Sequence, residues 1–166
     1  MFAVGGGGAA DSTYAGSSGF FKHQTLFINQ TQSVVLDITI GNGGGSSGAN
    51  GQTTTVRGLP SVVSAQGGGG AKRPGWSGVG GGNDDVGGFN GKYGTNEPLP
   101  ILCHVKLTPG SAGSSSSDGT GAGGIVVDGQ KPTKRSTVDG EGYGAGGGED
   151  NRSGYPGVVV LTLCDS

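Results

Sequence analysis

Blocks of consecutive glycine, set between short runs of β-branched residues, constrain this chain more than any other feature. The densest are Gly5 to Gly8, Gly67 to Gly70, Gly80 to Gly82 and Gly146 to Gly148. Glycine loses more backbone freedom on folding than any other residue, so a folded chain keeps such blocks only where a close approach leaves no room for a β-carbon. Disorder is the competing reading. It calls for high net charge and few β-branched residues, and this chain has a formal net charge of -2 and several β-branched runs. Collagen is excluded because the 41 glycines have no strict three-residue period and prolines number only 7.

The 166 residues suit one domain with its own core, spanning 1–166, with exposed loops expected near 72–97 and 111–119. Helix signals are nearly absent, since no useful window has 3.6-residue apolar spacing without glycine or proline inside it. Strand signals are clear. Phe20, Phe21, Leu26 and Ile28 open the first region, and in Ser33 to Ile40 the residues Val34, Leu36, Ile38 and Ile40 alternate with Asp37 and Thr39, as in a half-buried strand. Gln52 to Arg57 and Val62 to Ala65 read as shorter strands. Leu99, Ile101, Cys103, Val105 and Leu107 alternate with Pro100, Leu102, His104 and Lys106, predicting a strand with His104 outward. Ile125 to Val127 leads into a tight turn at Asp128-Gly129. Val158 to Leu163 is apolar on both faces, as a central buried strand would be.

Glycine blocks between strands can be flexible loops or extended segments packed side by side. Polyproline-II geometry, with three residues per turn and no internal hydrogen bonds, frees peptide groups to bond neighbouring segments. Packing is expected for 67–70, 80–82 and 144–148, making Gly68, Gly69, Gly81, Gly146 and Gly147 structural. Residues 111–119 read as an exposed loop.

Four stretches, in order along nearly the whole chain, resemble one family. They are Phe2-Ala-Val-Gly-Gly-Gly-Gly8, then Ser33 to Ile40 with Gly41-Asn42-Gly43-Gly44, then Ser64-Ala-Gln-Gly-Gly-Gly-Gly70. The last is Gly140 to Gly148 followed by Gly154-Tyr-Pro-Gly-Val-Val-Val-Leu161. They are similar to the glycine-rich β domain of phage and viral tail-fibre tips. Related regions occur in extracellular animal proteins, including the ectodomain of the anaplastic-lymphoma-kinase class of receptors. The chain departs from that pattern at Asn83-Asp84-Asp85, at 111–119 and in the cysteine-bearing segment 99–107. The resemblance implies an all-β, jelly-roll-like sandwich with a layer of packed polyglycine segments. It also implies binding or assembly on an extracellular or virion surface, with no enzymatic activity.

Chemistry-bearing motifs are sparse. Gly142-Tyr-Gly-Ala-Gly-Gly147 and Gly119 to Gly124 match G-x-G-x-x-G, but neither has the following helix that a dinucleotide site needs. Gly69-Gly-Ala-Lys-Arg73 lacks the Lys-Ser/Thr pair of a phosphate loop. His23 and His104 make no specific triad, and with two scattered cysteines they give no zinc spacing. Asp84-Asp85 and Glu149-Asp150 match no calcium loop and read as solvated turns. No cofactor or metal is expected. Lys72-Arg73 and Lys134-Arg135 are isolated pairs, so nucleic acid is not an expected partner. No stretch is long enough to insert in a membrane, and Met1 to Gly5 lacks signal-peptide character, so any export is expected to use another route or a segment outside this chain.

Cys103 and Cys164 allow one disulfide at most, and as members of apolar runs they read rather as buried free thiols. The sequons at Asn29 and Asn151 matter only in a secretory pathway. Charged residues make up 13% of the chain, about half the usual share of roughly 25%, and such a weakly charged surface suits an assembly. The first expectation is therefore a structural subunit that self-associates or decorates a fibre or capsid. The second is a receptor- or glycan-binding tip with Trp76, Phe89 and Tyr93 as contacts, rigid aromatics on loops being common anchors. Ice binding is a weaker third, for want of a regular Thr-x-x or Gly-x-x period.

Overall fold

The computed structural model describes residues 1–29, 31, 33–71, 99–114 and 120–165. Among them the regular structure is all strand, with no helix. The strands are β1 (Phe2–Val4), β2 (Phe21–His23), β3 (Asp37–Thr39), β4 (Thr54–Arg57), β5 (Val63–Ala65), β6 (Leu107–Pro109), β7 (Ile125–Val127) and β8 (Val158–Val160). They form antiparallel sheets ordered β2-β1-β8, β3-β4-β5 and β6-β7.

The alternation of side chains along β1 organises the core. Phe2 and Val4 point to one side and join Phe21, Val160, Ile125 and Leu102, with the Phe2 and Phe21 ring centroids 5.5 Å apart. Ala3 points to the other side and meets Val56, Val63 and Ala65. The β2-β1-β8 sheet is thus the middle layer, contacted by β6-β7 on one face and by β3-β4-β5 on the other. Burying Phe2, Phe21 or Ile125 contributes about 1.5–3 kcal/mol each.

Beyond β1 the chain continues as a glycine segment whose hydrogen bonds run outward to other segments. The N–H groups of Gly5 and Gly8 donate to Phe20 and Ser17, those of Gly6 and Ala9 to Gln52 and Ala49, and those of Gly7 and Ala10 to Tyr155 and Arg152. The partner segment therefore recurs at every third residue. Three further segments approach the carbonyls. Gly68 and Ala71 donate to Gly6 and Ala9, Gly44 and Gly48 to Gly7 and Ala10, and Gly147 to Gly8. This central segment is buried throughout, and its peptide groups satisfy the requirement that buried donors and acceptors be paired.

The same spacing appears around it. Gly16 and Gly19 donate to Gly147 and Gly144, while Ser17 and Phe20 donate to Gly69 and Gln66. Side chains are excluded by contact: a β-carbon on Gly6 would strike the Asn42 carbonyl, and one on Gly7 the Ala145 carbonyl. Gly110 and Gly113 donate to Gly124 and Gly121, and Ser114 to Thr137, so the start of the expected 111–119 loop is tied to neighbouring segments. Residues 115–119 lie outside the described residues, as do 72–98.

Three sequence expectations need correction. The segment 99–107 is not one strand. His104 adopts φ 65°, Leu102 bridges Val105 across the turn, Leu102 is the buried residue, and Ile101 is 98% exposed. Val158 to Leu163 is not central, because β8 is an edge strand and Leu161 and Leu163 are exposed. The third concerns Ser33 to Ile40. Only Asp37–Thr39 pairs as a strand, and its apolar face stays largely open, with Val34, Ile38 and Ile40 exposed at 44%, 39% and 40%. The turn after β7 is as expected: Asp128 and Gly129 both have positive φ, and Val127 and Gln130 exchange backbone hydrogen bonds.

Candidate functional site

The expected structural glycines within the described residues are joined in the laterally bonded core. Gly68 donates to Gly6 at 2.8 Å, Gly69 accepts from Ser17 at 3.0 Å, Gly146 donates to Ala122 at 3.0 Å, and Gly147 donates to Gly8 at 3.0 Å. Gly81 and the aromatic contacts Trp76, Phe89 and Tyr93 lie outside the described residues, as does the Asp84-Asp85 pair. The G-x-G-x-x-G match at 142–147 has its amides committed elsewhere. Gly144, Ala145, Gly146 and Gly147 donate to Pro156, Gly142, Ala122 and Gly8, leaving those donors unavailable to a phosphate. Among the described residues no group of three His, Cys, Asp or Glu side chains is placed to hold a metal ion.

Cys103 and Cys164 are joined in a disulfide with their Cα atoms 5.7 Å apart. This corrects the free-thiol reading. The alternation that placed Cys103 on an apolar strand face fails at the His104 turn, which leaves Cys103 half-buried beside an exposed Cys164. The bridge ties the segment after β8 to the 99–107 turn. Ile101 and Leu163, 98% and 83% exposed, lie one or two residues from its two ends. An open groove of about 480 Å3 runs along this turn, lined by Leu99, Ile101, His104, Lys106 and Asp128 among others.

The second exposed apolar surface is β3. Ile38 stands opposite the fully buried Val56 in the β3-β4 ladder, so it belongs to the core-facing side of that sheet. Among the described residues no layer covers it fully, and Ile38 is 39% exposed. As the first strand of its sheet, β3 has one backbone edge unpaired among the described residues, and 33–40 make no backbone hydrogen bond to other described residues outside the ladder with β4.

A polar cluster missed by the sequence reading lies beside the glycine segments. Asp139 is fully buried; its Oδ2 accepts from the Tyr155 hydroxyl at 2.8 Å and its Oδ1 from the Gly148 N–H at 2.9 Å. The same hydroxyl accepts from the Arg135 N–H at 2.7 Å. The Arg135 guanidinium sits 4.2 Å above the Tyr155 ring and donates to the carbonyls of Ser153 and Gly154. The group clamps 135–139 to 148–155. Beside it is a hollow of about 180 Å3 lined by Arg135, Asp139, Asp150, Asn151, Arg152 and Ser153. No signal of spacing or periodicity connects these positions in the sequence.

Replacing Tyr155 with phenylalanine is expected to cost about 1–3 kcal/mol, because it leaves a buried carboxylate oxygen without its donor. Urea titration at neutral pH checks it. Burial pushes the Tyr155 hydroxyl above its ordinary value of 10.0, and Asp139 adds to the rise, while the hydrogen bonds with Arg135 oppose it. A raised folded value favours the protonated hydroxyl, so its stabilising contribution is full below about pH 10. It is lost as pH climbs through the higher folded value. The urea midpoint of the native protein should therefore fall more steeply above that pH than the midpoint of Tyr155→Phe. Parallel curves would refute the assignment.

No protein-family model, no curated protein and no solved structure matches this chain. The resemblance to glycine-rich tail-fibre domains accordingly rests on the order of its sequence segments.

Proposed function

We propose that this chain is a non-enzymatic structural subunit that forms or decorates an extracellular filament, fibre or virion surface. The observation that carries the reading is the contrast between interior and exterior. The glycine core satisfies its own peptide groups from all sides. The segments flanking the strands instead leave Val35, Ile101 and Leu163 at 84%, 98% and 83% exposure. Ile101 and Leu163 flank the two ends of one disulfide, and contiguous exposed apolar patches mark association surfaces. The Cys103–Cys164 disulfide suits an oxidising, extracellular setting.

The finer architecture belongs to the same proposal. The three-residue recurrence of lateral hydrogen bonds supports polyproline-II-type glycine segments bundled at one end of a β-sandwich, because that helix has three residues per turn and no internal bonds. Such a bundle would be rigid and a poor protease substrate. Negative-stain electron microscopy of the purified protein at near-neutral pH tests the function. Filaments or regular particles are expected. Discrete monodisperse particles would overturn the subunit reading in favour of a receptor- or glycan-binding tip, with glycan arrays and Trp76→Ala as the next measurements.

A further inference from the structure

We propose that Asn42 is a site of spontaneous covalent modification, losing ammonia to attack by the Gly43 amide nitrogen, while the fold shields the chemically equivalent pair Asn50-Gly51. The inference goes beyond the subunit reading and does not depend on it. Asparagine is thermolabile, most of all before glycine, which carries no side chain to hinder the approach of its own nitrogen to the carboxamide. Asn42-Gly43 and Asn50-Gly51 are the two such pairs among the described residues, and both asparagines are exposed. Their sequences do not separate them; their hydrogen bonds do.

The reaction needs a glycine nitrogen that can lose its proton and a carboxamide carbon that can reach it. The Gly43 nitrogen bonds to Cγ of Asn42, Nδ2 leaves as ammonia, and a five-membered succinimide remains. Water then opens either ring carbonyl, giving aspartate or isoaspartate at position 42, with no oxidant or reductant consumed. Among the described residues neither the Gly43 N–H nor the Asn42 carboxamide has a hydrogen-bond partner. An unbonded N–H is open to base, as rapidly exchanging amides are. The restraint on ring closure is the Asn42 carbonyl, which accepts from the Gln52 N–H at 2.8 Å and must turn as the ring forms.

At Asn50 both reacting groups are engaged. The Gly51 N–H donates to the Gly68 carbonyl at 2.9 Å, and the Asn50 Oδ1 accepts from the Gly70 N–H at 3.0 Å. Ring closure there must first detach 50–51 from the packed 67–70 block at two points. At Asn42 an isoaspartate would add one main-chain atom between Gly41, whose carbonyl accepts from Gly157, and Gly44, whose N–H donates to Gly7. The product is thus a lengthened link in a segment tied at both ends.

Incubating the native protein at mildly alkaline pH and mapping its peptides by mass tests the assignment. The mass gain of deamidation should accumulate at Asn42 roughly fivefold or more faster than at Asn50, the effect of about one extra hydrogen bond to open. In concentrated urea the two rates should converge. Asn90-Gly91 lies outside the described residues and is read separately by the same map. Asn42→Gln should abolish the gain at position 42, because the longer side chain would have to close a six-membered ring. Amide hydrogen exchange gives a readout without covalent change, with Gly43 expected to exchange rapidly and Gly51 slowly. No gain at Asn42 in the native protein, equal native rates at the two sites, or a Gly43 amide as protected as that of Gly51 would overturn the proposal.

Discussion

Replacing Gly68 with valine is expected to leave no stably folded protein. Gly68 is buried, and any β-carbon there would lie within 3.0 Å of the carbonyls of both Ser17 and Ser18. The Ser17 carbonyl is not free to retreat, because Ser17 is held by Gly8 on one side and Gly69 on the other. Inserting methyl groups into ordinary cores costs about 1–3 kcal/mol because side chains can shift. Here the obstacles are main-chain atoms tied to the central segment, so the loss should exceed about 4 kcal/mol, a large share of a domain's stability. Gly45→Ala is the internal control: no atom lies within 4 Å of the added methyl. Its effect should stay within about 0.5 kcal/mol of zero, as for innocuous surface changes. Urea titration of both variants decides the matter. Similar midpoints would mean that the glycine segments are loops without packing constraints.

Removing the disulfide is expected to have the next largest effect. Cys103 and Cys164 are 61 residues apart, and closing a loop of that length restricts the unfolded chain by about 4 kcal/mol in the chain-entropy model, with measured values of about 2–4 more usual. The double variant Cys103→Ala, Cys164→Ala should lose stability in that range. It should also fray locally, since among the described residues 161–165 have little besides the bridge and the Cys103–Thr162 side-chain contact to hold them. Limited proteolysis should therefore cut the variant after Leu161 or Leu163 while the glycine core survives. Cleavage beginning instead within 5–20 would show that the bridge supports the core and not the chain end.

The close packing of the glycine blocks at 5–8, 67–70 and 146–148 was legible because a backbone that must touch another backbone cannot carry a β-carbon. The strand Ile125 to Val127 was legible from its β-branched run and the Asp128-Gly129 turn that ends it. Which face of a strand is covered was not legible. Val34, Ile38 and Ile40 have the spacing of a half-buried face, yet cover depends on layers contributed by residues far away in sequence. Residues 99–107 misled for another reason. Their alternation is broken by His104 in a left-handed conformation, a position where glycine or asparagine would have announced a turn. Asp139 was invisible because its partners, Gly148 and Tyr155, share no spacing with it that a sequence pattern would record.

The threefold recurrence along Gly5 to Ala10 acts as a screw thread. Advancing the chain by one residue turns every amide toward the wrong neighbour, whereas advancing it by three restores the original facing. Deleting a single residue from this stretch would misalign all its lateral bonds at once. A length change of three would keep them in phase. Related chains that tolerate insertions here should therefore carry them in multiples of three, a reading frame imposed by the fold on top of the one imposed by the code.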